Sequence, residues 1–168
     1  MSTGQFIGLT QADFFTTTHR ISGGTQTGPK PLSDLLNDRT QSYLLLFNVY
    51  ISPLDKAAEI GAHASVAYLS KENLSFVIVP LRETRAPDRS RFAVHEYEAL
   101  ATLPGWEVRG KFVGPHRIDI RSFSPAALDA FVVLVEGGAR LAGTSDVTFS
   151  GEAILVNRAR LESFCLIE

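Results

Sequence analysis

Cations gather at two places in this chain. In "WEVRGKFVGPHRIDIRSF", residues 106–123, Arg109 and Lys111 alternate with apolar residues before Gly114-Pro115, His116 follows, and Arg117 and Arg121 lie on the return. An extended strand turns every second side chain to the same face, so these residues would form one outward basic stripe. Such a stripe can contact phosphates or an acidic partner. A second set, Asn157, Arg158 and Arg160, occupies the polar turn of "ILVNRARLESFCLI". Glu107 and Asp119 share the outward face, which also fits a solvated surface of cross-strand opposite-charge pairs, each contributing about 0.2–1 kcal/mol. Trp106 and Phe112 point the other way, leaving that face without the stacking platforms of a single-strand binder.

Other chemistry is sparse. His19, His63, His95 and His116 have no ligand-like spacing, and Cys165 is the single cysteine, so no metal is expected. "ISGGTQTG" is glycine-rich but lacks the lysine of a phosphate loop, and no strained nucleophile turn occurs. The reading is a protein without catalysis or cofactor. "RAPDR", 85–89, is similar to the arginine pair of cyclic-dinucleotide-binding PilZ barrels, and "DVTFSG", 146–151, to that family's second signature. That resemblance implies a small anionic ligand as a further alternative.

With 45% hydrophobic residues in 168, the chain has enough apolar material for one ordinary core or two small ones. A net charge of -2 supplies no global field for nucleic acid or acidic membranes. No apolar run reaches the length of a membrane span, and "MSTGQFIGLTQ" lacks the pattern of a leader, so a soluble, cytoplasmic protein is expected.

The elements that must position these residues repeat. The densest break is "LRETRAPDRSRF", which separates units 1–84 and 85–168. At a constant shift of 87, Gly23 matches Gly110, Leu44 matches Phe131, Lys71 matches Arg158 and Leu74 matches Leu161. The second unit reads as a helix with Val94, Tyr97, Leu100 and Ala101 on one face and Pro104-Gly105 as its stop, then a hairpin turning at Gly114-Pro115 with Ile118 and Ile120 returning inward. A short helical turn over Ala126 to Asp129 leads to the strand "FVVLV", and two last strands flank Asn157-Arg158. The first unit supplies "THRISGGTQT", "YLLLFNVYI", "ASVAYL" and "LSFVIV". The fold class predicted is mainly β, as two tandem small five-stranded barrels, each with a short helix or helical loop.

On these residues the second half resembles an Sm-like, SH3-type small barrel. "RSF…DAFVVLVEGG" is similar to the first motif of that family, with Asp129 at the motif aspartate and Val133 where an RNA-contacting asparagine stands. "ILVNRARLESFCLI" is similar to the second, with Ala159 where glycine is usual. "GPKPLSDLLND" followed by "YLLLFNV" is similar to uncharacterised bacterial small-barrel proteins. The resemblance implies a binding or assembly module whose open strand edges pair with another chain, itself or a protein partner. Its alternative is an Sm-like RNA-binding protein using Arg109, Lys111, His116, Arg117, Arg121, Asn157, Arg158 and Arg160.

Overall fold

The computed structural model describes residues 8–56, 58–85, 94–115, 129–144 and 146–167. Its first half contributes β1 (Leu9–Phe15), β2 (His19–Gln26), the helix α1 (Leu32–Asn37), β3 (Tyr43–Pro53), β4 (Ala62–Ser70) and β5 (Phe76–Val79). The second contributes β6 (Val94–Leu103), β7 (Trp106–Pro115), β8 (Phe131–Leu141), β9 (Thr148–Asn157) and β10 (Ser163–Ile167). Short 3-10 turns at Lys71–Asn73 and Arg158–Arg160 precede β5 and β10. The protein is mainly β, as its alternating apolar runs require.

The strands join into one antiparallel sheet of order β10-β6-β7-β8-β9-β5-β1-β2-β3-β4. Among the described residues this is one continuous sheet, not two independent ones; it does not close on itself, and β10 and β4 are its two edges. Each half has the same internal order: last strand, first, second, third, fourth. β1, β2, β4, β5 and the 3-10 turn at Lys71–Asn73 recur 87 residues on, within a residue or two at their ends.

β3 recurs 88 residues on. Tyr43 pairs with Ser70 while Phe131 pairs with Asn157, so Phe131 matches Tyr43 and not Leu44. Asn48 and Glu136, also 88 apart, both have positive φ, at 51° and 50°. Beside each, the ladder to the preceding strand slips by one residue, between Ser22 and Gly24 in one half and between Arg109 and Lys111 in the other. Such bulges increase local twist and bend the strand.

Two other expectations are corrected. Residues 94–103 form a strand, since Ala99, Ala101 and Leu103 are buried with a period of two. Pairing to both β7 and β10 overrides the helical preference of Glu, Ala and Leu there. Pro104 and Gly105, the latter at φ +79°, make the turn of a β6–β7 hairpin. β7 therefore runs straight through Gly114 to Pro115, where a turn was expected. Ile118, Ile120 and the helical turn over Ala126 to Asp129, Asp129 apart, lie outside the described residues.

There are two interiors. One gathers Phe14, Leu32, Leu36, Leu44, Leu46, Val49, Val77 and Val79 from the first half with Phe131, Ala153 and Leu155 from the second. The other gathers Ala99, Ala101, Leu103, Trp106, Val108, Leu134, Ile154 and Val156 with Phe15, Leu54 and Phe76 from the first. Phe76 stacks on Phe15 at 4.6 Å and meets Trp106 edge-on at 4.8 Å, and the Trp106 indole N–H donates to the Thr16 carbonyl at 3.1 Å.

At the second bulge, a Cβ on Gly110 would lie 2.9 Å from Leu134 Cβ and 3.2 Å from the Val135 carbonyl oxygen. Neither neighbour is a flexible side-chain tip. Gly110→Ala is therefore expected to lose about 1–3 kcal/mol of stability in denaturant unfolding. A loss under about 0.5 kcal/mol, the ordinary range for an exposed surface change, would show that β7 does not need this close approach.

Candidate assembly surface

The ladder between β5 and β9 joins the two halves: Phe76 faces Val156, Val77 faces Leu155, Ile78 faces Ile154 and Val79 faces Ala153. Alternate residues leave on opposite faces. Val77, Val79, Ala153 and Leu155 enter the first interior, and Phe76, Ile154 and Val156 enter the second. Phe131 also enters the first interior, and Val133 packs against it. Four second-half residues, Phe131, Val133, Ala153 and Leu155, thus plug the core of the first half.

Polar groups fix this junction. The Asn157 amide donates to the carbonyls of Leu74 at 2.8 Å and Lys71 at 3.3 Å, and its backbone N–H donates to Ser75 at 3.0 Å. Arg160 donates from Nε to the Glu72 carbonyl at 2.9 Å and from its terminal nitrogen to Asn73 Oδ1 at 3.1 Å. From α1, Asn37 Oδ1 accepts the Phe131 N–H at 2.8 Å.

α1 has only six residues and is held from both ends. At its start, the Leu32 N–H donates to Glu83 Oε2 at 3.0 Å. At its end, the buried Lys71 ammonium donates to the carbonyls of Leu35 and, at 3.0 Å, Asp38. Burial pushes the Lys71 pKa down, and the nearby Asp38 carboxylate opposes that shift. Arg85 donates to both oxygens of Asp34 at 2.7 Å and holds that carboxyl below its ordinary range.

At the other end of the sheet, the counterparts of the four plug residues are uncovered. Phe131, Val133, Ala153 and Leu155 correspond to Tyr43, Leu45, Val66 and Tyr68. These are 41%, 44%, 50% and 66% exposed, whereas Ala153 and Leu155 are completely buried. Leu45 lies directly opposite Tyr68, and the Tyr43 and Tyr68 rings stack at 4.1 Å. Beside them, no strand among the described residues pairs with the outer side of β4. An apolar strip next to an unpaired row of backbone donors and acceptors is a template for strand addition. The matching of "YLLLF" with "AFVVL" at 87 concealed this strip by one residue, although tyrosine and leucine at alternate positions were the signal for it.

The predicted site residues fall elsewhere. Arg109 is exposed on β7, in an open groove of about 330 Å³ shared with Glu107, Gly138, Arg140 and Ser150, and Arg140 pairs with Glu107. Lys111 sits between Glu136 at 3.0 Å and Glu96 at 3.6 Å, which is the cross-strand charge pairing of a solvated face. His116, Arg117 and Arg121 lie outside the described residues. Asn157, 4% exposed, and Arg160 are committed to the junction, and the Arg158 backbone N–H donates to the Ala130 carbonyl at 2.9 Å. Of "RAPDR", Arg85 is described and pairs with Asp34. A groove of about 400 Å³ beside the junction presents Asp13 and Glu152, charges unfavourable to an anionic dinucleotide. No helix among the described residues is long and apolar enough to cross a membrane.

Asn157→Ala would take this donor from the Leu74 carbonyl, while the Lys71 carbonyl keeps the Leu74 N–H, and is expected to destabilise the protein by about 1–3 kcal/mol in denaturant unfolding. A near-neutral effect would remove this residue from the junction. The Asp34–Arg85 pair has an acid signature. Asp34 titrates lower folded than its unfolded value near 3.9, so its contribution is complete above that range and disappears as pH falls through the depressed folded value. Asp34→Asn should flatten the decline of stability below about pH 4; an unchanged slope would exclude Asp34 as its source.

Comparison with family models, curated proteins and solved structures finds no match for this chain, so the role of the uncovered strip follows from its own chemistry.

Proposed function

We propose that this protein is a non-catalytic assembly module that holds another polypeptide by strand addition at β4. The observation that carries this reading is the exposure of Tyr43, Leu45, Val66 and Tyr68 at the positions whose counterparts are buried, or in the case of Val133 partly buried, where the two halves meet. Main-chain hydrogen bonds along β4 would supply affinity, and the apolar strip would select side chains on one face of the incoming strand. Burying each large apolar side chain contributes about 1.5–3 kcal/mol before the cost of association. Under this reading each five-strand half is one curled, barrel-like unit, built twice in the chain and fused through β5 and β9.

RNA binding through the basic residues has less to work with. Lys111 is shared between two carboxylates, and Asn157 and Arg160 are already bonded within the protein. Arg109 remains the best placed of them for a phosphate.

The two readings separate by salt. Strand addition on an apolar strip predicts association, followed by light scattering at micromolar concentrations, that changes little between about 50 and 200 mM salt and is abolished by Tyr68→Lys. Circular dichroism should show the Tyr68→Lys fold intact, because the side chain is exposed. A strict monomer under all conditions would sink the proposal. So would RNA affinity that falls steeply with salt and on Arg109→Ala, with Tyr68→Lys unaffected.

A further inference from the structure

We infer that the strand received by β4 is β10 of a second copy of this chain, in a defined register. Ser163 then lies opposite Leu69, Phe164 opposite Tyr68, Cys165 opposite Ala67 and Leu166 opposite Val66. This inference rests on the reading of β4 as a strand acceptor and adds its occupant.

The internal junction is the template. β10 is the counterpart of β5, and among the described residues its outer side is the other edge of the sheet. Transferring the β5–β9 register by 87 residues in each direction gives the four pairs above. Both sides of this second contact carry apolar side chains that are not fully buried. On the acceptor, the four plug positions are exposed. On the donor, Phe164, Leu166 and Phe112 only partly bury against the second interior, whereas their counterparts Val77, Val79 and Thr25 are at most 3% exposed.

Volumes agree with this occupant. Tyr68 and Phe164 are larger than Leu155 and Val77, but the centre of the receiving interior has Ala101 where the first has Phe14. At these positions the larger pair faces a smaller central side chain. Polar contacts make the new junction the weaker one: Ser70 and Asn73 stand where Asn157 and Arg160 clamp the internal junction. Serine is too short to repeat the double donation of Asn157. Because donor and acceptor are different surfaces, each added copy leaves one of each free, and assembly runs head to tail.

Cys165 is the only cysteine, and it is exposed. Directly opposed antiparallel residues have Cα atoms about 4.5–5.5 Å apart, within disulfide reach. Mild oxidation of Ala67→Cys should yield a reducible ladder of linked chains on a denaturing gel, with at least about tenfold less from Ser65→Cys, which sits two residues out of register. Adding Cys165→Ser or Tyr68→Lys to Ala67→Cys should remove the ladder. Equal linking at 65 and 67, Cys165-to-Cys165 dimers alone, or no link at all would overturn the inference. Failure to link, combined with salt-insensitive association that Tyr68→Lys still abolishes, would overturn this occupant and register while leaving strand addition at β4 standing.

Discussion

The four-residue ladder between β5 and β9 sets most of what this protein is. A strand sends successive side chains to opposite faces, so a ladder in the middle of a sheet can serve two cores at once. Val77 and Leu155 go one way, Phe76, Ile154 and Val156 the other, and each half becomes part of its neighbour's interior. Neither core is complete without the other half. Phe15 and Phe76 stack in the interior built mainly by the second half, while Phe131 and Leu155 close the first.

That dependence explains where the polar groups are. In the turn before β5, Asn157 donates to the buried Leu74 and Lys71 carbonyls, and Arg160 donates to the Glu72 carbonyl at the surface. Lys71 does the same for the end of α1, whose six residues are too few to be stable alone. Asn157 and Arg160, which a linear sequence offers as ligand contacts, here bond to groups of the other half of the chain.

The same ladder also accounts for the asymmetry of the surface. An open sheet built from a repeated unit joined edge to edge leaves one edge of each repeat outside the junction. Among the described residues those edges are β4 and β10. The uncovered side chains at β4 are larger and more aromatic than their counterparts at the junction.

The sequence by itself determined the mainly β class, most of the strands, the polar turn at Asn157-Arg158 and the approximate recurrence at 87 residues, because alternation and turn residues are local properties. It did not reveal β6: Ala99, Leu100 and Ala101 favour a helix locally, and only pairing to β7 and β10 makes them a strand. Nor did it reveal the single extra residue between β7 and β8, which moves the match of Phe131 from Leu44 to Tyr43. One residue inverts every side chain of a strand, so the tertiary ladder alone decided that Tyr43 and Leu45, and not Leu44 and Leu46, lie uncovered. The roles of Asn157 and Arg160 were likewise decided by the other half of the chain, whose carbonyls lie more than 80 residues away.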